Sequence, residues 1–300
     1  MDKPKIKLLK VFKVEGKQEV SDETKNIHLY REFDANENRV KEISYSHDGE
    51  IVEEKFFVYN ENGKLIEEKS FYAEDDVTEI RHFEYDEKGR VYKTHKSYGE
   101  QGDEDTTVYS YNDAGKLIEK RTEDSDGELE HAETWKYEGE NLVENVSKDA
   151  DGSIIESSKY KYDDAGNITE EIRYTSEKDK EYKILYDHII KDKTPDTTVY
   201  NTEGKIVQRS RHTYDEKQRL IKEVTETVSV GVQKFTTENS YDEQDNVIEI
   251  KVVDKNENLI SKMLYKFNNH NLPIEEIHLE QVAAGMDLRE SKVITEYEFY

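Results

Sequence analysis

The sequence predicts an all-β protein, an elongated antiparallel meander of two-strand repeats of about 26 residues in a curved or superhelical sheet. Three observations predict this fold class. Aromatic residues recur at a nearly constant spacing, a turn signal follows each of them, and no segment carries a convincing helical pattern. The 300 residues include only three prolines, so most of the predicted strands lack this strand-breaking residue.

The spacing of the aromatic residues is the strongest signal. One Tyr or Phe anchors each repeat, and successive anchors stand 24 to 28 residues apart. Most repeats carry a second aromatic residue two positions before the anchor, and alternate residues of a strand share a face. The anchors are Phe33, Tyr59, Tyr85, Tyr111, Tyr137, Tyr162, Tyr186, Tyr214, Tyr241 and Phe267.

A tight turn is predicted directly after each anchor. The next residue is Asp, Asn or Glu in every repeat, and Asp and Asn begin turns by bonding their own backbone. Four positions after the anchor we expect positive φ, because glycine occupies this position in several repeats. The residues at this position include Gly63, Gly89, Gly115, Gly166, Gln218, Asp245 and Asn271.

A second turn lies near the middle of each repeat, as in HDGE at 47–50 and DSDGE at 124–128. Two strands of roughly eight residues and two turns fill one period, which predicts about twenty strands. We expect residues 1–27 to form N-terminal capping strands, residues 28–278 to form the repeat array, and residues 279–300 to form a C-terminal capping hairpin. Together they would make a single elongated domain.

The composition predicts a thin core. Hydrophobic residues make up 33% of the chain and mean hydropathy is -1.04, which is low for a globule of this length. However, 21 Tyr and 9 Phe supply apolar surface that disordered chains lack. We therefore expect a folded chain with a heavily solvated exterior.

The negative net charge disfavours one class of partner, nucleic acids, and favours another, basic proteins. With 44 Lys and Arg against 70 Asp and Glu, the formal net charge is -26, and a phosphate backbone would be repelled. We therefore expect no nucleic-acid binding. Residues 100–164 contain 20 acidic and 7 basic residues, a net of -13, so a basic protein could use this segment.

The sequence contains few motifs typical of catalytic or metal-binding sites. The chain has no Cys, its nine His are dispersed without HExxH, and no Gly-x-Ser-x-Gly motif occurs. The Asp-x-Asp-Gly turns at 124–127 and 149–152 lack the full ligand set of a calcium loop, and a hairpin turn explains them without a metal, although bound calcium stays open. We expect no enzymatic activity, no cofactor and no metal.

The N-terminal segment MDKPKIKLLKVFKVEGK is basic but has no apolar stretch, and no segment approaches the roughly 18 apolar residues of a membrane span. We expect a cytoplasmic protein. A periplasmic or cell-surface location is the alternative if a leader has been removed.

Five segments, YNENGKL at 59–65, YDEKGRV at 85–91, YNDAGKL at 111–117, YDDAGNI at 162–168 and YDEKQRL at 214–220, resemble the tyrosine-aspartate (YD) repeats of Rhs proteins and teneurins. The resemblance covers roughly residues 28–278. Glycine is replaced in the C-terminal copies, and no toxin segment follows the repeats. The resemblance implies antiparallel strands in a spiral sheet, and a short acidic relative of this kind looks like proteins found beside bacterial polymorphic toxins.

We therefore expect a non-enzymatic binding protein, most concretely an immunity protein that neutralises a secreted Rhs or type VI toxin by binding it through an acidic, curved β-surface. The alternative is a cell-surface or envelope module that binds glycan or matrix through exposed Tyr and Trp. The expected partner-binding residues are Asp103, Glu104, Asp105, Asp124, Asp126, Glu128 and Trp135.

Overall fold

A computed structural model describes residues 4–16, 18–21, 24–73, 77–99, 104–177, 179–190, 192–229, 231–282 and 286–300. These residues form 22 β-strands, and none of the described residues is helical. The predicted all-β class is therefore confirmed.

The strands follow one another along the chain with short connections. They are β1 (Ile6–Glu15), β2 (Asn26–Phe33), β3 (Arg39–Tyr45), β4 (Ile51–Tyr59), β5 (Leu65–Tyr72), β6 (Val77–Tyr85), β7 (Val91–Tyr98), β8 (Glu104–Tyr111), β9 (Leu117–Glu123), β10 (Leu129–Glu138), β11 (Asn141–Asp149), β12 (Ile154–Tyr162), β13 (Ile168–Thr175), β14 (Lys180–Asp187), β15 (Asp196–Tyr200), β16 (Ile206–Tyr214), β17 (Leu220–Ser229), β18 (Gly231–Tyr241), β19 (Val247–Asp254), β20 (Leu259–Phe267), β21 (Pro273–Gln281) and β22 (Leu288–Phe299).

All 22 strands belong to one sheet, and the described pairings are antiparallel between strands that follow each other, as a meander requires. The expected elongated, curved or superhelical meander would leave its first and last strands unpaired with each other, and this part of the prediction is wrong. β1 pairs with β2 on one side and with β22 on the other, from Ile6 opposite Phe299 to Glu15 opposite Ser291. The first and last strands therefore close the sheet, because each offers the other the backbone groups that a terminal strand leaves unpaired.

The chain divides into two compact units. The first contains residues 1–82, 97–102 and 237–300, and includes the β1 pairing with β22. The second contains residues 83–96 and 103–236, and includes the six described residues among the seven that the sequence analysis assigned to partner binding.

The turn after most anchors has the predicted geometry, whereas a shorter turn at Gly139 follows Tyr137 and a longer connection to β15 follows Tyr186. In the turn after Tyr59, the Asn60 side-chain oxygen accepts hydrogen bonds from the backbone N–H groups of Asn62 and Lys64, both at 3.0 Å. The predicted positive φ is confirmed at Gly63, Gly89, Gly115, Gly166, Gln218, Asp245 and Asn271. The pairing shifts register at most anchors, which is how the strand gains the extra residue of a β-bulge.

The anchor side chains have a structural role. In at least four repeats the Tyr hydroxyl donates to a backbone carbonyl 20 residues earlier in the chain, just past the turn that follows the preceding anchor. The bond from Tyr111 to the Val91 carbonyl is 2.7 Å, and that from Tyr162 to the Leu142 carbonyl is 2.6 Å. The guanidinium of Arg90 also lies 4.3 Å from the centre of the Tyr111 ring. Each such Tyr therefore links, by a hydrogen bond, the turn after its own position to the turn that follows the preceding anchor.

Burial is thin, as the composition indicates. Among the described residues, the buried hydrophobic side chains are Val14, Ile43, Phe57, Ile184 and Val253. An equal number of polar residues is buried, namely Ser70, Thr94, Glu171, Asp196 and Ser210. Hydrogen bonds between side chains therefore have to supply part of the cohesion that a larger apolar core would provide.

Candidate functional site

Strand register brings one set of side chains together on a face of the second unit. A continuous row crosses β13 to β17, in which Glu171 lies opposite Ile184, Ile184 opposite Val199, Val199 opposite Gln208, and Gln208 opposite Thr227. Because alternate residues share a face, Arg173 and Tyr186 lie on the same face as this row. The row forms the floor of a cleft.

Glu171 is the best-buried residue of this row, with 1% of its surface exposed, and it lies beside the residues that line the cleft. Its Oε1 accepts hydrogen bonds from the Ser158 hydroxyl at 2.9 Å and from Arg173 Nε at 2.8 Å. Its Oε2 accepts from Arg173 Nη2 at 3.1 Å and from the Tyr186 hydroxyl at 2.5 Å. The carboxylate is therefore saturated, and it holds the heads of Arg173 and Tyr186 in fixed positions.

The same contacts set the ionisation of the network. Burial opposes the charge of Glu171, but the hydrogen bonds from Arg173, Tyr186 and Ser158 outweigh it and bring the pKa of Glu171 below its usual value. Burial and the bond to Glu171 raise the pKa of the Tyr186 hydroxyl. Near neutral pH the network is thus a carboxylate paired with a guanidinium, and Glu171 is a poor proton acceptor because its lone pairs are occupied.

The cleft above this floor has a volume of about 990 Å³, within the range of sites that hold a small ligand or a short segment. Its lining mixes aliphatic, hydroxyl and amide groups. The lining residues are Arg173, Thr175, Lys180, Glu181, Tyr182, Ile184, Tyr186, Thr197, Val199, Asn201, Thr202, Glu203, Val207, Gln208, Thr227 and Val228.

Most of the acidic residues expected to bind a partner meet at one edge of the same unit. Thr106 lies opposite Glu123, Leu129 also lies opposite Glu123, and His131 lies opposite Asp149. The start of β8, the β9–β10 turn and the β11–β12 turn are therefore neighbours at one end of the strands. We call this set of residues the acidic edge, and it consists of Glu104, Asp105, Asp124, Asp126, Glu128, Asp149 and Asp151.

The members of the acidic edge differ in their contacts. Asp124 is tied up in its own turn, since its Oδ1 accepts from the backbone N–H groups of Asp126 at 3.0 Å and Glu128 at 2.8 Å. Glu104 is exposed and lies 3.1 Å from Nδ1 of His95, whose Nε2 is 2.8 Å from Glu84. Asp126 and Glu128 are exposed at the tip of the turn. These two present their carboxylates to solvent.

Two of the expected residues lie elsewhere. Asp103 falls outside the described residues. Trp135 is half-buried in the interior of β10, opposite Asn145 of β11. The structure thus groups the acidic residues of β8 and the β9–β10 turn, and places Trp135 away from that turn.

Sequence reasoning missed the Glu171 network. The available signal was a Glu nine positions after the anchor, which recurs as Glu42, Glu68, Glu171, Glu223 and Glu276. Glu42 is held in a similar way, since Arg31 Nε donates to it at 2.5 Å and Arg39 Nη1 at 2.8 Å. A periodic Glu within a strand ordinarily indicates a solvated face, whereas Glu171 lies on a buried one.

Within the described ranges, no group of three or more His, Asp or Glu side chains is arranged to hold a metal ion. The described residues likewise include no helix of the length and apolar composition needed to cross a membrane.

The fold and site define an all-β protein of a single antiparallel meander, with a polar cleft and an acidic edge in its second unit. No protein-family model matches the chain, and no curated protein matches it. The resemblance to YD repeats therefore stays an interpretation of the sequence motifs.

Solved structures provide distant similarities. The chain is similar to a protein in the crystal structure of TcdB2-TccC3-Cdc42, with 12% identity and a TM-score of 0.38 over 94% of this chain and 18% of that one. The chain is also similar to a protein in the crystal structure of TcdB2-TccC3 without its hypervariable C-terminal region, with 10% identity and a TM-score of 0.29 over 96% of this chain and 20% of that one. A porin-like protein from Bacteroides uniformis ATCC 8492 matches with 11% identity and a TM-score of 0.33 over 98% of this chain and 96% of that one. The chain spans about a fifth of the first two proteins, and no function follows from similarity at this level.

Proposed function

We propose that this chain is a non-enzymatic binding protein that neutralises a secreted polymorphic toxin, acting as an immunity protein that holds a basic toxin surface against the acidic edge. The observation that carries the proposal is the strand register, which places the start of β8 and the two turns that follow at one end of the second unit. Concentrated carboxylates at one edge would attract a positively charged surface and speed its association.

The local charge supports this role. Residues 100–164 carry half of the net charge of -26, and Asp126 and Glu128 are exposed at the tip of the β9–β10 turn. Asp124 supports the edge indirectly, because its carboxylate fixes the turn that presents these two residues. The saturated state of Glu171 favours binding over catalysis at the neighbouring cleft.

The test reverses the charge of the exposed edge and spares the turn. A variant with Glu104→Lys, Asp126→Lys and Glu128→Lys keeps Asp124, and should lose protection of cells that express the cognate toxin. At low salt the association rate with the purified toxin should fall at least about tenfold, with a smaller effect at high salt.

A matched control reverses three exposed acidic residues at the other ends of strands in the same unit, Asp113→Lys, Glu138→Lys and Glu140→Lys. This control has the same net charge as the edge variant, so it isolates position from total charge. Equal association rates and equal protection for the two variants would contradict the proposal.

A further inference from the structure

We propose that the cleft on β13 to β17 binds an extended segment of the partner protein, with an aliphatic, uncharged middle and Lys or Arg on the side nearest the acidic edge. The inference rests on the proposed function, since it supplies the short-range contacts that would follow electrostatic attraction to the acidic edge.

The dimensions of the cleft fit an extended chain. Its floor crosses five strands, from Arg173 on β13 to Thr227 on β17. Neighbouring strands lie about 4.8 Å apart, so the floor is roughly 19 Å long, which is the length of about six extended residues.

The floor provides an aliphatic strip. Ile184 and Val199 lie side by side in the register row, and Val207 lines the cleft beside them. Val207 is half-buried, so an occupant would cover the rest of its side chain. Covering a half-exposed valine is favourable by about three- to tenfold in affinity.

Side chains that suit a peptide backbone flank the strip. Gln208 lies within the row and Asn201 at its side, and each amide has both donor and acceptor groups. The oxygen of Asn201 already accepts from the backbone of Glu203 and Lys205, which leaves its amide N–H groups for a ligand carbonyl. Thr197 and Thr227 add hydroxyls that donate or accept.

The charges within the cleft cancel, while those beside it do not. Arg173 is paired with Glu171, and Glu203 with Lys205 at 2.6 Å. The other charged lining residues are one cation, Lys180, and one anion, Glu181. On the β12 side, exposed Glu156 lies opposite Thr175 of the cleft, and the β11–β12 turn adds Asp149 and Asp151. The middle of the segment should thus be uncharged, and the flank that leaves toward β12 should be basic.

The test selects peptides from a displayed library of random decapeptides on the full-length protein and measures the affinity of the enriched peptides by fluorescence anisotropy. We expect enriched peptides to combine aliphatic residues with Lys or Arg at one end. Val207→Ser and Gln208→Ala should each weaken their binding by about three- to tenfold. Val232→Ser is the matched control, because Val232 is a 57% exposed valine of the next strand that does not line the cleft, and it should leave affinity within about twofold.

The outcomes separate this inference from the proposed function. Enriched peptides that bind the Val207→Ser and Gln208→Ala variants as well as the wild type would overturn the cleft assignment, as would a library that yields no such peptide. If the cleft variants lose peptide binding while reversal of the acidic edge leaves protection intact, the cleft assignment stands and the acidic edge is not the surface that holds the toxin.

Discussion

Replacing Glu171 by Ala should destabilise the second unit more than replacing Glu170 by Ala, its neighbour on the other face of β13. Glu171 is 1% exposed and accepts hydrogen bonds from Ser158, Arg173 and Tyr186. Alanine would leave all three donors without this acceptor and would remove the charge that compensates Arg173.

The magnitude follows from those bonds. Two neutral donors are worth about 1 kcal/mol each, and a charged donor pair about 1.5–3 kcal/mol. Arg173 has a side chain that is 54% exposed, so water recovers part of its loss. We therefore expect Glu171→Ala to lower the free energy of unfolding by about 3–4 kcal/mol, in line with the cost of breaking a buried ion pair.

Glu170→Ala is the control. Glu170 is the preceding residue and pairs with Lys161 at 2.7 Å and Lys183 at 2.6 Å, both of which have exposed side chains. Exposed pairs contribute about 0–1 kcal/mol each. This variant should therefore cost about 0–2 kcal/mol, at least about 1 kcal/mol less than Glu171→Ala.

The assay is urea denaturation followed by fluorescence of the single Trp, which lies in the second unit and reports on its unfolding. The midpoint should fall for Glu171→Ala with little change in the urea dependence of the free energy. A loss below about 1 kcal/mol, or a loss equal to that of Glu170→Ala, would refute the reasoning.

Further predictions concern pH, one anchor and two turns. Because the pKa of Glu171 lies below its ordinary 4.5, its charge stabilises the fold above that pH, and the advantage over Glu171→Gln should shrink in urea midpoints as pH falls to about 3. Tyr111→Phe should cost about 1 kcal/mol by thermal denaturation through loss of its bond to a backbone carbonyl, whereas Tyr92→Phe, with an exposed hydroxyl, should cost less than about 0.5 kcal/mol. Gly115→Ala, at φ +83, should lower the free energy of unfolding by about 1–2 kcal/mol. Gln218→Gly, at φ 62, should raise it by up to about 1 kcal/mol. Unchanged melting temperatures would contradict both predictions.

The turns could be predicted from the sequence because their determinants are local. The bond that begins the Asn60 turn joins residues two and four positions apart, and the positive φ of Gly63 belongs to a single residue. Even Gln218 and Asp245, which replace glycine, could be assigned positive φ from their place in the period. The acidic edge follows from the same regularity, because two turns per period return the chain to the same end.

The closure of the sheet could not be predicted in this way. Ile6 and Phe299 are paired across almost the whole sequence, and neither strand differs in pattern from a strand that ends a sheet. The Glu171 network was missed for a different reason. A carboxylate in a strand usually marks a solvent-facing position. The burial of Glu171 is favourable because Arg173 on its own strand is joined by two partners on neighbouring strands, Ser158 on β12 and Tyr186 on β14.

The pairing of β1 with β22 brings the two ends of the chain together, since the backbone N–H of Tyr300 donates to the Lys5 carbonyl at 3.1 Å. A short linker could therefore join residue 300 to residue 5 without disturbing a strand, and new ends could be opened in an exposed turn such as that at 47–50. In such a circular permutant β1 and β22 become consecutive strands of an ordinary hairpin. Their slow, long-range association would then become a local step, and folding should be faster than in the natural chain order.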